Sequence, residues 1–270
     1  MVGILLFIRE YPLRRIVLAA ALIPCALVLT ACGSSATTVS VSTAGASASA
    51  SGPSNAGLSQ AQLLARFKTA LAAATAIHFK GTMSGSGSTF SIDMQLNKDG
   101  SAQGTTVSGG MTIPLIAIGG VTYVQVTSSL ESMIKSEMTS GGDAAESALV
   151  SEIAVGKWIS SKSAIGSTLS GGFGDMTDFS SMTKNLASGT DDKFTYLGTS
   201  TLNGQAVAQY KDVSTNDGSS STATMDVPLY GSPLPIKEDA GSQGGMNFTW
   251  NQPTKVSAPA ASDILDLPTS

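Results

Sequence analysis

The chain of 270 residues has little cysteine, little histidine and little charge. Its two cysteines, Cys25 and Cys32, lie close together near the start. Beyond them no thiol is available for a disulfide or a cysteine-ligated metal site, so a fold must rest on packing alone. The single histidine, His78, is the one residue on which a Ser-His-Asp arrangement would depend, and no Gly-x-Ser-x-Gly elbow accompanies it. Charged residues make up 13% of the chain and form no Lys/Arg cluster, which speaks against nucleic acid or anionic headgroups as partners. Asp175 with Asp178, and Asp191 with Asp192, are the acidic groupings. Neither has the spacing of a calcium loop, and both read better as a helix first turn and a solvated turn. Gly171-Gly172-Phe173-Gly174 lacks the lysine of a phosphate loop and reads as a connection. No catalytic residue, metal site or cofactor is expected, and the chain is not read as an enzyme.

What is present is concentrated first at the N-terminus. Arg9, Arg14 and Arg15 form a basic region, followed by 14 uncharged residues from Ile16 to Leu29. That run suits a signal-peptide core and is short for a span, which needs about 20 residues. Pro24 also interrupts it. Leu29-Thr30-Ala31-Cys32 then has the pattern of a bacterial lipobox, with cleavage between Ala31 and Cys32. The expectation is a leader at 1–31, a lipid on Cys32, and anchorage on the extracytoplasmic face of the cell membrane. Two or three acyl chains, at about 0.8 kcal/mol per buried methylene, give durable attachment.

Residues 33–57 carry no charge, and 21 of these 25 are Ser, Ala, Thr or Gly. They predict a flexible linker with a span of roughly 25–30 Å. Residues 58–270 are long enough for one domain. Without the leader the formal charge is 12 minus 18, or −6.

Ser59 with Gln62 is a capping box that opens a helix, its apolar face marked by Leu63, Leu64, Phe67, Ala70, Leu71 and Ala74. The period then changes to two. Ile77, Phe79, Gly81 and Met83 alternate with polar residues, as do Phe90, Ile92, Met94 and Leu96. On this pattern His78 faces away from Phe79. Asp99-Gly100 and Asn203-Gly204 are tight hairpin signals, and Gly119-Gly120 joins two apolar strands at 111–118 and 121–126. Helical spacing marks 128–192, through Leu130, Met133, Ile134 and Met138, then Ala145, Leu149 and Ile153. Met176, Phe179, Met182 and Leu186 form a further helical repeat. A short strand near Trp158 separates these helices. Strands return from Phe194 to the end, including a predicted one at 234–238. The sum is an α+β chain with about ten antiparallel strands and one apolar sheet face that helices must cover.

The order of elements resembles the LppX/LprG-type lipoproteins of the LolA/LolB-like superfamily. The likeness rests on the lipobox, on Ile77-His78-Phe79-Lys80-Gly81 after the first helix, and on Gly119-Gly120-Val121-Thr122-Tyr123-Val124. It rests also on Gly156-Lys157-Trp158-Ile159, Tyr196-Leu197-Gly198-Thr199 with Asn203-Gly204, and the ending 248–259. It implies a curved half-barrel sheet, helices packed in its concave side, and an apolar cavity between them for an acylated lipid or glycolipid. The cavity candidates are Phe79, Met83, Ile92, Met94, Met111, Ile113, Met176, Phe179, Met225 and Phe248. Methionine is flexible and polarizable, as an adaptable apolar site requires. The middle section is poor in large apolar residues, which points to a small or closed cavity. The alternative function is an envelope assembly protein that docks a protein partner and holds no small ligand.

Overall fold

The computed structural model describes residues 52–85, 88–140, 152–187, 193–216 and 219–268. The lipobox, Cys32, most of the expected linker, Ala145, Leu149 and the Asp191-Asp192 pair lie outside them. The first helix, α1 (Gln60–Ala73), starts at the expected capping box. Ser59 Oγ accepts from the Gln62 amide at 3.4 Å, and the Ser59 amide donates to Gln62 Oε1 at 3.0 Å.

Five strands follow as a meander: β1 (Ala76–Gly85), β2 (Ser88–Asn97), β3 (Ala102–Ser108), β4 (Met111–Ile118) and β5 (Val121–Gln125). Then come α2 (Ser128–Ser140), the short β6 (Trp158–Ser160), and three short helices, α3 (Ala164–Ser170), α4 (Gly174–Thr177) and α5 (Phe179–Ala187). A second meander closes the chain: β7 (Lys193–Leu202), β8 (Gln205–Asn216), β9 (Ser219–Pro228), β10 (Lys237–Asp239) and β11 (Gly244–Trp250).

All eleven strands form one antiparallel, unclosed sheet in the order β6-β5-β4-β3-β2-β1-β11-β10-β9-β8-β7. The two meanders grow outward from the centre, where β1 pairs with β11, so β6 and β7 end at opposite edges. The connection between them must therefore cross the sheet, and α3 to α5 make that crossing. The result is the curved half-barrel with helices on its concave face. α1 packs on α5, α2 on β4, and α3 on β5 and β6.

The hairpins form where turn chemistry placed them. Asn203 and Gly204 have φ of 50° and 83° between the paired Leu202 and Gln205, so both central residues of this two-residue turn are left-handed. At Asp99-Gly100, the Asp99 carboxylate accepts from the Ser101 amide at 2.9 Å and stiffens the loop.

Three expectations need correction. The strand predicted at 234–238 is only Lys237–Asp239, because Pro235 has no N–H to give a ladder and Leu234 is buried outside the sheet. The repeat from Met176 to Leu186 is two helices. Asp178 is extended (φ −108°, ψ 116°), and its carboxylate accepts from the Ser181 amide at 2.5 Å at the start of α5. Finally, the chain is docked on the sheet by Ser54, which bridges Tyr230, and Asn55 is fully buried. Composition had placed both in the linker. Among the described residues no helix is long and apolar enough to cross a membrane.

Candidate functional site

The concave face follows from alternation. One row across the sheet reads Phe248, Phe79, Met94, Gly104, Leu115, Val124 and Ile159 through successive strand pairs. The next includes Met246, Gly81, Ile92, Thr106 and Ile113. Side chains of these rows merge with Leu130 and Ile134 of α2, Phe173, Met176, Phe179 and Met182 into one buried cluster. Removing this surface from water is the main stabilising force of the fold, at about 25 cal/mol per Å² of apolar area.

Of the ten candidates, Phe79, Ile92, Met94, Ile113, Met176 and Phe179 are buried within this cluster. Met83, Met111 and Phe248 are half-buried and pack against it. Met225 lies elsewhere. It packs against a smaller cluster of Leu63, Ala208, Tyr210 and Val227 beneath the start of α1. The reading missed Phe90, Phe173, Met182 and Met246, although Phe90 shares the parity of Ile92 and Met246 that of Phe248.

Two details bear on what this seam can do. At Gly81 an added Cβ would sit 2.1 Å from Gly245 O and 2.7 Å from Met246 Sδ, and at Gly104 2.1 Å from Asp93 O and 2.5 Å from Met94 Sδ. Close backbone carbonyls thus require glycine at both positions, and a methionine thioether lies beside each. Second, Met83 and Phe90 pair directly, Phe90 pairs with Ser108, and Ser108 with Met111. This line of half-buried residues forms one rim of the seam, at the end away from the Leu71–Ala74 end of α1.

The opposite, convex face is polar where β1 and β2 cross it. His78 Nε2 and Asp93 Oδ1 are 2.7 Å apart, and Lys80 Nζ lies 2.7 Å from Asp93 Oδ2. Burial is the largest single influence on the Asp93 carboxyl and pushes it up. The hydrogen bonds from Lys80 and His78 and their charges together outweigh burial and hold it below its ordinary value. The same bond raises the Lys80 ammonium. The expectation that His78 faces away from the core holds. Among the described residues no serine hydroxyl bonds its ring, and no group of three His, Cys, Asp or Glu is placed to hold a metal ion.

Fold and site define an α+β half-barrel whose apolar concave face is roofed by helices. No family model and no curated protein matches the sequence. Solved structures do. The LppX lipoprotein of Mycobacterium tuberculosis is similar at 18% identity and a TM-score of 0.43, covering 74% of this chain and 100% of that one. The MucA/MucB complex of Pseudomonas aeruginosa matches at 15% identity and a TM-score of 0.29, covering 74% of this chain and 58% of that one. A Vibrio parahaemolyticus domain, described as an outer membrane lipoprotein-sorting protein domain, matches at 12% identity and a TM-score of 0.24, over 70% and 89% of the two chains. The kinds of protein that the sequence resembles are thus among its structural neighbours.

Proposed function

We propose that this chain is a lipid-anchored protein of the bacterial envelope that binds an acyl chain or glycolipid between its sheet and helices. The observation that carries the reading is the pair of methionines lying over Gly81 and Gly104. A thioether side chain has three rotatable bonds and adapts to irregular apolar surroundings. Both methionines are buried, so a lipid entering the seam would displace them, and the glycine beneath each leaves no side chain in its way. The roof suits this too. α3, α4 and α5 have 7, 4 and 9 residues, and helices this short are held by their contacts rather than by themselves. The half-buried rim of Met83, Phe90 and Met111 supplies a mouth. The lipobox pattern supports Cys32 as the anchor, Ala31 as the residue before the cut, and 33–57 as the tether.

The test uses the Cys32→Ala chain, which takes no anchor lipid, purified without detergent. Native mass spectrometry followed by solvent extraction should find a co-purified or added lipid at one per chain. An empty, compact protein that takes up no lipid would sink the proposal.

A second reading, assembly with a protein partner, is favoured by β7. It ends the sheet, and no described residue pairs with its outer side over Lys193–Leu202. A partner strand could add there. Crosslinking that captures one stoichiometric envelope protein, together with an empty seam, would favour it.

A further inference from the structure

A pocket of about 760 Å³ lies on the convex face, on the far side of the sheet from the acyl seam. The chain's own C-terminal segment builds it. After β11 the backbone turns across the outside of the sheet. Gln95 Nε2 donates to Gln252 O at 3.3 Å, and Asn97 Nδ2 to Thr254 O at 2.8 Å. Further on, Lys157 Nζ donates to Ser262 O at 2.8 Å and the Leu265 amide to Trp158 O at 2.8 Å. Leu267 then enters the main core. The segment is thus a strap fixed at both ends, and the pocket is the space between it, Gln103, Ile116 and Trp158.

We infer that this pocket is a second binding site, for a neutral carbohydrate. Three features select that chemistry. The site holds little free charge. Asp93 is the one formally charged residue in its lining, and His78 and Lys80 take both of its oxygens. An anion or cation finds no uncompensated partner there. Hydrogen-bonding groups are nevertheless available. Among the described residues neither the Gln103 amide nor the Thr249 hydroxyl has a protein partner, and Gln95 commits its N–H, leaving its carbonyl oxygen to accept. An amide donates and accepts at once, which matches adjacent sugar hydroxyls. Finally, the half-buried Trp158 supplies an aromatic face beside Ile116 and Pro114. A pyranose presents C–H groups on its faces and hydroxyls at its edge, so an indole flanked by amides fits it on both counts. The volume falls within the ordinary range for small-ligand sites, roughly 300–1,000 Å³.

The test is a titration of the full Cys32→Ala chain with maltohexaose, cellohexaose, chitohexaose and mannohexaose, followed by calorimetry and by tryptophan fluorescence. At least one should bind saturably and change the emission. Gln103→Ala and Trp158→Phe should each weaken that binding at least tenfold, about 1.4 kcal/mol. Lys211→Ala, on a distant strand, should leave it unchanged. A further arm compares maltohexaose with dodecyl maltoside below its micelle concentration. Equal sensitivity of both to Gln103→Ala places the sugar in this pocket, whether free or as a headgroup. Dodecyl maltoside binding that ignores Gln103→Ala reports the concave seam and counts against the proposal. So does the failure of all four oligosaccharides to saturate at millimolar concentration, or binding that both variants retain.

Discussion

Asn55 offers a sharp test of how the N-terminal segment is held. Its side chain is fully buried and makes three hydrogen bonds: Nδ2 donates to Pro228 O at 2.9 Å and to Gly231 O at 3.1 Å, and Oδ1 accepts from Arg66 Nη1 at 3.2 Å. Its backbone amide donates to Leu229 O at 2.8 Å, and its carbonyl accepts from the Tyr210 hydroxyl at 2.5 Å. The residue thus pins the chain to the end of β9 and to α1 before the helix begins. Asn55→Ala deletes three bonds worth about 1 kcal/mol each and leaves two part-buried carbonyl oxygens without their donor. The expected loss is about 2–4 kcal/mol. For a domain of this size each kcal/mol shifts the midpoint by about 2–4 °C, so Tm should fall by roughly 10 °C. Urea unfolding of the Cys32→Ala background, followed by circular dichroism, measures it. Asn55→Asp adds a discriminating outcome. It keeps an oxygen for Arg66 but turns a negative oxygen toward two carbonyls, so it should cost at least as much as alanine. A loss below about 0.5 kcal/mol for alanine, within the ordinary range for surface changes, would refute the pin.

Other consequences follow from the same physics. Met94→Ala opens a hole at the centre of the concave face and should cost about 2–5 kcal/mol in urea unfolding, with added lipid restoring part of the loss if the seam takes an acyl chain. Met111→Arg places a charge at the half-buried rim; lipid uptake in native mass spectrometry should fall while the urea midpoint moves little. Gly204→Val forces a β-branched residue into a left-handed turn position and should cost about 1–2 kcal/mol. Acid should weaken the fold in a definite window. Lys237 holds the Asp239 carboxyl below its ordinary value, and Lys80 with His78 does so for Asp93 against the upward push of burial. Groups lowered in the folded state stabilise it above the unfolded value, near 4, and lose that effect as pH falls through the folded value. The urea midpoint should therefore be flat from about pH 7 to 5 and drop below about 4. Both pairs are exposed enough for solvent to screen them, so the effect is small. A midpoint that rises on acidification would contradict these assignments.

Local chemistry made much of the architecture legible. The capping box at Ser59 and Gln62, the paired left-handed residues at Asn203-Gly204 and the two-residue alternation from Ile77 to Leu96 act over a few residues, so their outcome needs no distant partner. The same alternation separated Phe79 from His78 and assigned them to opposite faces. What could not be read is whatever depends on which distant strands meet. The centre of the sheet is β1 against β11, ends of the domain far apart in sequence. That pairing sends Met225 to a different cluster from Met94, although both sit in similar alternating strands. Asn55 looks like linker by composition because a Ser/Ala-rich neighbourhood has no apolar surface to bury. Only the carbonyls of Pro228 and Gly231, more than 170 residues away, make it a fixed point. The strap over the convex face arises in the same way. Its backbone is held by Gln95, Asn97 and Trp158, and the pocket exists only once those strands lie side by side. Sequence alone determined turns, caps and the face each side chain takes, because those are short-range sterics and hydrogen bonds. Tertiary structure decided which faces meet, because long-range pairing depends on the packing of the whole sheet.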